Sequence, residues 1–509
     1  MENVRPQVAS DLVGDRGFFG HPRGLSTLFF TELWERFSYY GMRALLILFM
    51  TAPVASGGLG FDVATAGAIY GLYTALVYMT GLPGGWIADR FLGARRAVLL
   101  GGIIIACGHY SMFLPAVTDL FGDLVPFYTG LALIVVGTGL LKPNISTMVG
   151  MLYGPEDIRR DAGFSLFYMG INLGAFIAPF VCGYLGQRID WHYGFGAAGL
   201  GMTLGLVQYV LGGRHLGQAG LRPQRRIDPA ERARDLRLLL GGIAGLLGVI
   251  ALAIGLDRAG LWRLSVQGVT RTLGLLLLGV PLVYFGSLFL RGRWTALERG
   301  RLAAVFVLFL FSALFWSAFE QAGSTLNLFA DRYTNTVLFG FSFPSSWFQS
   351  VNAFFIIVLS GVFAGLWLWL ARRGREPSSP AKFAWGLFFV GLGFLLLVPA
   401  AWMAQNGVKV SPLWLIATYL CHTIGELCLS PVGLSTVTKL APERVVGQMM
   451  GVWFLSISVG NFIGGQVAGL FERLPLPGLF LAIFATTAGS ALVLAWLVPH
   501  IRRLMGGVH

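Results

Sequence analysis

The segment "ELWERFSYYGMR" (residues 32–43) sets Glu32, Glu35, Arg36 and Arg43, with Tyr39 and Tyr40 among them, inside a stretch otherwise apolar enough to cross a bilayer. Each charge near a bilayer centre adds about 2.5–3.5 kcal/mol to insertion, so four oppose it by roughly 10 kcal/mol. At about 100° per residue these six side chains fall within one stripe of roughly 140°, about 16 Å long, which suits the wall of a polar cavity. Three more ionisable residues stand deep in other apolar runs: Lys142 in "GTGLLKPNIS", Glu320 in "FWSAFEQAG" and Glu426 in "HTIGELCLSP". Four acids then face three bases, and full pairing leaves one carboxylate over. In a low-dielectric site an unpaired carboxylate favours its protonated form, so this set is suited to taking up a proton while ion-pair partners change. The competing view is a cluster of salt bridges that only pins helices together.

Polar and aromatic residues surround that set. Lys142 precedes Pro143, whose kink frees backbone carbonyls and turns the lysine inward. Asn172 in "FYMGINLGAF" and Asn352 in "SVNAFF" put amides at membrane depth, as cavity groups or as glue between helices. Trp316 and Trp453 lie away from the interfaces where tryptophan anchors, which suits cavity walls. His422, four residues before Glu426, is either a proton relay or hydrogen-bonded packing. In "GGWIADRFLGARR" (84–96), with Asp89 and Arg90 as a conformational latch, Asp89 at the helix end can pair with a basic group or another helix's N-terminus in one conformation and release in another, and the glycines allow a tight turn. The other view of this motif is a topology anchor. There is no HExxH, no glycine-rich phosphate loop and no Cys/His metal cluster, so enzyme and cofactor readings find no support.

The elements that hold these residues are transmembrane helices. Hydrophobic residues are 55% of the 509, charged residues 12%, and mean hydropathy is +0.70, values of an all-α polytopic membrane protein. Apolar runs fall at 25–52, 61–90, 95–116, 124–150, 161–187, 192–212, 238–256, 272–290, 302–330, 346–372, 382–404, 412–440, 445–471 and 477–500. The intervening turns alternate in charge: 27 Lys and Arg lie on one side and 7 on the other. Positive charge stays cytoplasmic, which puts both termini inside and makes the net charge of +13 a matter of topology, with no nucleic-acid partner. Residues 1–24 lack the apolar core of a cleaved signal peptide. Cys107, Cys182, Cys421 and Cys428 sit in apolar segments as packing residues, not disulfides. The second half echoes the first: "GLWLWLARRGR" (365–375) follows "GGWIADRFLGARR", and "FWSAFEQ" follows "ELWERF". Such repeats mark transporters whose halves rock about a central site. The expected organisation is an N-terminal six-helix bundle (1–212), a basic linker with two additional lipid-facing helices (213–300), and a C-terminal six-helix bundle (301–509).

These residues resemble the proton-dependent oligopeptide transporter family of the major facilitator superfamily. The signature "ExxERFxYYG" is complete from Glu32 to Gly41, "FYMGINLG" (167–174) is similar to the second signature, and "LKPN" and "GELCLSPVGLS" match the fourth and tenth core helices. The resemblance covers essentially the whole chain and implies the major facilitator fold, with two additional helices, 14 in all. It implies import of di- and tripeptides with protons at the cell inner membrane, by a monomer, with no cofactor beyond the proton gradient. Residue by residue, it gives Arg43 and Lys142 to the peptide carboxylate, and Glu426, Asn172 and Asn352 to its amino terminus and backbone. Tyr39, Tyr40, Tyr78, Trp316 and Trp453 become tolerant side-chain walls. Glu320 resembles the proton site that pairs with Arg43, while Glu32, Glu35 and Arg36 exchange partners with Lys142. A histidine found on the second core helix of some members is missing from "AIYGLYTALVYMTG", so coupling must run through carboxylates. The nearest rival is an anion such as nitrate in the same scaffold, which Glu426 would repel. A channel would need a continuous polar pore, whereas these charges cluster at mid-depth.

Overall fold

Long apolar runs with glycine-rich faces leave the backbone one way to satisfy its hydrogen bonds in lipid, which is to coil. The computed structural model describes residues 15–154, 156–223, 228–338, 340–442 and 445–507, apart from the side chains of 446 and 447. Among the described residues the chain forms fourteen long helices, thirteen of which pass as membrane spans on length and hydropathy alone. The exception is α1 (Arg23–Thr51), which carries Glu32, Glu35, Arg36 and Arg43 within its membrane-crossing length. There follow α2 (Val63–Leu92), α3 (Ala94–Ala116), α4 (Leu124–Met151), α5 (Arg160–Arg188), α6 (Trp191–Leu216), α7 (Pro229–Arg258) and α8 (Val266–Arg291). The second half holds α9 (Ala296–Tyr333), α10 (Ser345–Arg372), α11 (Ser379–Gln405), α12 (Leu413–Leu440), α13 (Val446–Ala468) and α14 (Leu476–Leu504). The span boundaries read from hydropathy fall within about four residues of these except at the starts of α8 and α9, each six residues early, and of α7, nine residues early. Asp228 caps its first turn by accepting from Glu231 N, Pro229 starts it, and its polar beginning projects beyond the apolar core. Of the arginines that set the topology, Arg5, Arg225, Arg226 and Arg444 lie outside the described residues.

α1 packs against α5 and α6, α3 against α4, α11 against α12 and α14, and α9 against α13. Small residues set these distances: a Cβ on Gly174 of α5 would meet the Leu33 carbonyl and stand 3.1 Å from Arg36 Cβ on α1. No residue in the apolar window of α7 is buried, so it faces lipid. α8 is only partly so, because its Phe285 stacks edgewise on Phe306 and Phe309 of α9 at 4.8 and 5.6 Å. All four cysteines are free.

The two halves meet firmly at the end away from the termini. There α2 and α13 cross so closely that a Cβ on Gly71 would lie 2.7 Å from Gly465 Cα. Gln187 of α5 bonds Ser345 Oγ at 2.8 Å and accepts from Ser346 N at 2.9 Å. Asn327 of α9 donates to the Ala44 carbonyl of α1 at 2.8 Å, and Ser350 of α10 to the Phe176 carbonyl at 2.8 Å. At the end that carries both termini α10 has no buried residue beyond Ile356, although its Trp367 still lies under Lys382 of its own half at 4.5 Å. Half-buried Tyr40, Tyr78 and Lys142 of the first half and Asn352 and Glu426 of the second mark a chamber between the halves toward that end.

Candidate functional site

Three groups of charge lie at mid-depth in this chamber or just behind its wall. In the first, Arg36 is buried between two carboxylates of its own helix: its Nε stands 3.0 Å from Glu32 Oε1 and in contact with Glu35 Oε2. The guanidinium also lies over the Tyr39 ring, 5.5 Å from its centroid. The spacing explains the group, since Glu32 and Glu35 precede Arg36 by one turn and by one residue.

The second group joins the halves. Arg43 Nη2 of α1 meets Glu320 Oε2 of α9 at 2.6 Å, with both side chains buried, and Arg43 Nε donates to Tyr70 Oη at 2.6 Å. Tyr40 lies beneath the guanidinium at 5.7 Å. α9 breaks here: its long first segment ends at Phe319, and Glu320–Gly323 wind into a tighter turn before the helix resumes at Thr325. Gly323 is required in that turn, because a Cβ would stand 2.9 Å from Arg43 Nε and against the Tyr70 hydroxyl. A local change of helix type at a charged residue is a frequent mark of function.

The third group is unpaired. Lys142 sits on the Tyr78 ring, Nζ 3.9 Å from its centroid, and among the described residues it makes no ion pair. Glu426 on α12, also without an ion pair among the described residues, accepts from Asn352 Nδ2 at 3.2 Å, and Asn352 reaches Thr423 Oγ1 at 3.0 Å. Lys142, Tyr40, Tyr78, Asn352 and Glu426 are all half-buried, as chamber-facing groups should be.

The remaining sequence candidates fall around this centre. Asn172 is buried and bonds the Tyr168 carbonyl of its own helix at 3.0 Å. Tyr39, Trp316 and Trp453 are buried too: Trp316 stacks edgewise on Phe319 at 5.3 Å, and Trp453 meets Phe383 at 5.9 Å. His422 lies buried among the rings of Phe319, Phe394 and Tyr419, and among the described residues no hydrogen bond joins it to Glu426. Asp89 and Arg90 stand apart, at the end that carries the termini. There Arg90 is in contact with Asp235 of α7 and lies 3.8 Å from Glu231.

Sequence reasoning missed three participants. Tyr70 shares the helix of Tyr78 and could have been found by its position two turns earlier. Tyr168, exposed beside Asn172 in the second motif, interacts electrostatically with Glu426 and Tyr40. Asp235 was hidden in a segment whose arginines draw attention to topology.

Two helical halves enclosing a charged chamber open at one end define a polytopic transporter. Comparison with known proteins agrees. A sequence profile described as "POT family" matches residues 95–480. The chain is 42% identical over 511 residues to the peptide transporter YePEPT of Yersinia enterocolitica, covering 98% of each. It is 38% identical over 502 residues to a di-/tripeptide transporter of Lactococcus lactis subsp. cremoris, covering 97% of this chain and 98% of the relative. A crystal structure of a peptide transporter POT in complex with sulfate superposes with a TM-score of 0.91 at 43% identity, over 99% of this chain and 100% of that one. The chain belongs to the POT family: it is a membrane transporter with the major facilitator fold, not an enzyme.

Proposed function

We propose that this chain is a proton-coupled symporter that takes up di- and tripeptides by alternating access, holding the peptide between its two bundles. The observation that carries the proposal is the charge left over in the chamber. Of the seven ionisable residues at mid-depth, Lys142 and Glu426 have no ion pair among the described residues, and they sit on opposite halves facing the same space. A zwitterionic peptide presents the mirror image of that pair. Its carboxylate goes to Lys142, joined by Arg43 when Glu320 is protonated and lets go, and its ammonium goes to Glu426 and Asn352. A small anion such as nitrate has nothing to offer Glu426.

Asn172 serves the peptide backbone. Tyr40 and Tyr78 form the near side-chain walls, with Tyr39, Trp316 and Trp453 as the layer behind. Glu320 is the proton site linked to the gate, and Glu32, Glu35 and Arg36 form a second acidic store that Lys142 can enter. Asp89 and Arg90 act as a latch at the end that carries the termini. Bundles 1–212 and 301–509 rock against each other, with 213–300 as an addition between them. Charge bias puts both termini in the cytoplasm, so the chamber described above opens inward, in a monomer in the bacterial inner membrane. Relatives named as peptide and di-/tripeptide transporters support the substrate.

The test is dialanine uptake by proteoliposomes with and without an inward proton gradient. Accumulation that requires the gradient and collapses with an uncoupler is expected. Equal uptake in both conditions removes the coupling, and nitrate uptake without dialanine uptake removes the substrate.

A further inference from the structure

Few arginines lie on the side away from the termini, where charge bias disfavours them, and two of these converge. A cleft of about 710 Å3 opens between α8, α2 and α13, lined by Arg271, Arg473, Gln267, Gln466, Thr270 and Leu275 among others. Neither Arg271 nor Arg473 makes a side-chain hydrogen bond or ion pair among the described residues. Asp62, the one carboxylate in the lining, is committed to capping α2: it accepts from Thr65 N at 2.9 Å and Thr65 Oγ1 at 2.6 Å. Gln267 Nε2 bridges α8 to α2 by donating to Thr65 Oγ1 at 2.8 Å.

The position is that of a lipid headgroup. α2 and α8 begin and α13 ends at this boundary, and Arg271 lies five residues into α8, about 8 Å below its start. Below the polar groups the cleft turns apolar: Phe462 fills the space over Gly274, and Leu275 is 61% exposed toward the bilayer. Two cations above an apolar groove match a phosphodiester above an acyl chain. We propose that this cleft binds an anionic phospholipid, with its phosphate between Arg271 and Arg473 and one chain along Leu275 and Phe462.

The site has a mechanical consequence. Its walls include α2 and α13, the helices whose crossing at Gly67, Gly71 and Gly465 closes this end of the transporter. A lipid wedged between that pair and α8 holds α8 to the core and favours the conformation in which the cleft exists.

The experiment is thermal unfolding of the purified chain in neutral detergent, with phosphatidylglycerol, phosphatidylcholine or inorganic phosphate added in turn. Phosphatidylglycerol is expected to raise the melting temperature saturably, and the other two are not. Arg271→Gln with Arg473→Gln should weaken the apparent affinity roughly thirtyfold. Leu275→Trp, which fills the groove and leaves both arginines in place, should weaken it as well, and native mass spectrometry should show correspondingly less retained phosphatidylglycerol. An unchanged response in both variants overturns the proposal. So does an equal response to phosphatidylcholine, and a shift reproduced by inorganic phosphate alone shows a free-anion site instead.

Discussion

Glu426→Gln removes one negative charge and little else. The glutamine keeps a carbonyl oxygen where Glu426 Oε2 now accepts from Asn352 at 3.2 Å, and Asn352 keeps Thr423 at 3.0 Å, so the wall of the chamber should hold its shape. At 4 Å in an effective dielectric near 20, an ammonium and a carboxylate attract by about 4 kcal/mol. Desolvating the half-buried glutamate and the incoming amine takes back much of this, leaving the net value of a hydrogen bond to a charged group, about 1.5–3 kcal/mol. Affinity for a dipeptide with a free amino terminus should therefore fall roughly 10- to 150-fold. An N-acetylated analogue offers no ammonium and loses at most a neutral contact, about two- to twelvefold. Competition of each compound against labelled dialanine in proteoliposomes gives the two ratios directly. If both compounds lose affinity equally, Glu426 is helix glue and its assignment to the amino terminus is refuted. A large drop in melting temperature would point the same way.

Glu320→Gln leaves Arg43 with Tyr70 alone, and proton-driven accumulation should fall to the level seen without a gradient while counterflow exchange persists; intact accumulation removes Glu320 from the proton role. Gly71→Val drives a side chain into Gly465 and the Asn461 carbonyl, 2.7 and 3.0 Å from the new Cβ. Spin labels on exposed Ile189 and Leu338 should then move apart by several ångströms as the seam is wedged open, and an unchanged distance distribution counts against a glycine-sealed gate. Asp235→Asn strips Arg90 of its buried partner and should cost about 1–3 kcal/mol of stability, with the coupling to Arg90→Gln measurable in a double-mutant cycle. His21, outside the membrane, hydrogen-bonds Tyr153 Oη at 2.9 Å, and burial, then the nearby Arg159 charge, hold its pKa below the usual 6.5. Because the folded value is depressed, its contribution to stability is whole above that pH and is lost on acidification. The melting temperature of the native chain relative to His21→Gln should fall between about pH 7 and about pH 5.

Hydropathy made the spans legible because a bilayer demands about twenty apolar residues from any helix that crosses it. It could not find the start of α7, since residues 229–237 stay helical after leaving lipid and carry Glu231 and Asp235. The partner of Arg90, Asp235, lies 145 positions away in that added segment, where hydropathy gave no sign of it. The mid-membrane charges were equally visible, but counting them could not assign them. Four acids against three bases suggested one spare carboxylate. In the structure the sequence neighbours Glu32 and Glu35 both crowd onto Arg36, so Lys142 is spare as well. Local adjacency on α1 wins over pairing between helices. The result is a site with one unmatched charge of each sign, better suited to a zwitterion than the count implied.

That distribution also gives a route from proton to gate on the proposed mechanism. Glu320 occupies the turn that breaks α9, and seven residues on, across that turn, Asn327 donates to the carbonyl of Ala44, the residue after Arg43. The ion pair and the seam that closes the end away from the termini thus join the same two segments, 43–44 and 320–327. Neutralising Glu320 cancels a buried attraction of 2.6 Å geometry and leaves Arg43 with one neutral hydrogen-bond partner, Tyr70. A charged guanidinium left in that position is costly unless an anion replaces the lost carboxylate, and the carboxylate of a peptide in the chamber is such an anion. Proton and peptide are then bound together more cheaply than either alone, which is the thermodynamic content of symport.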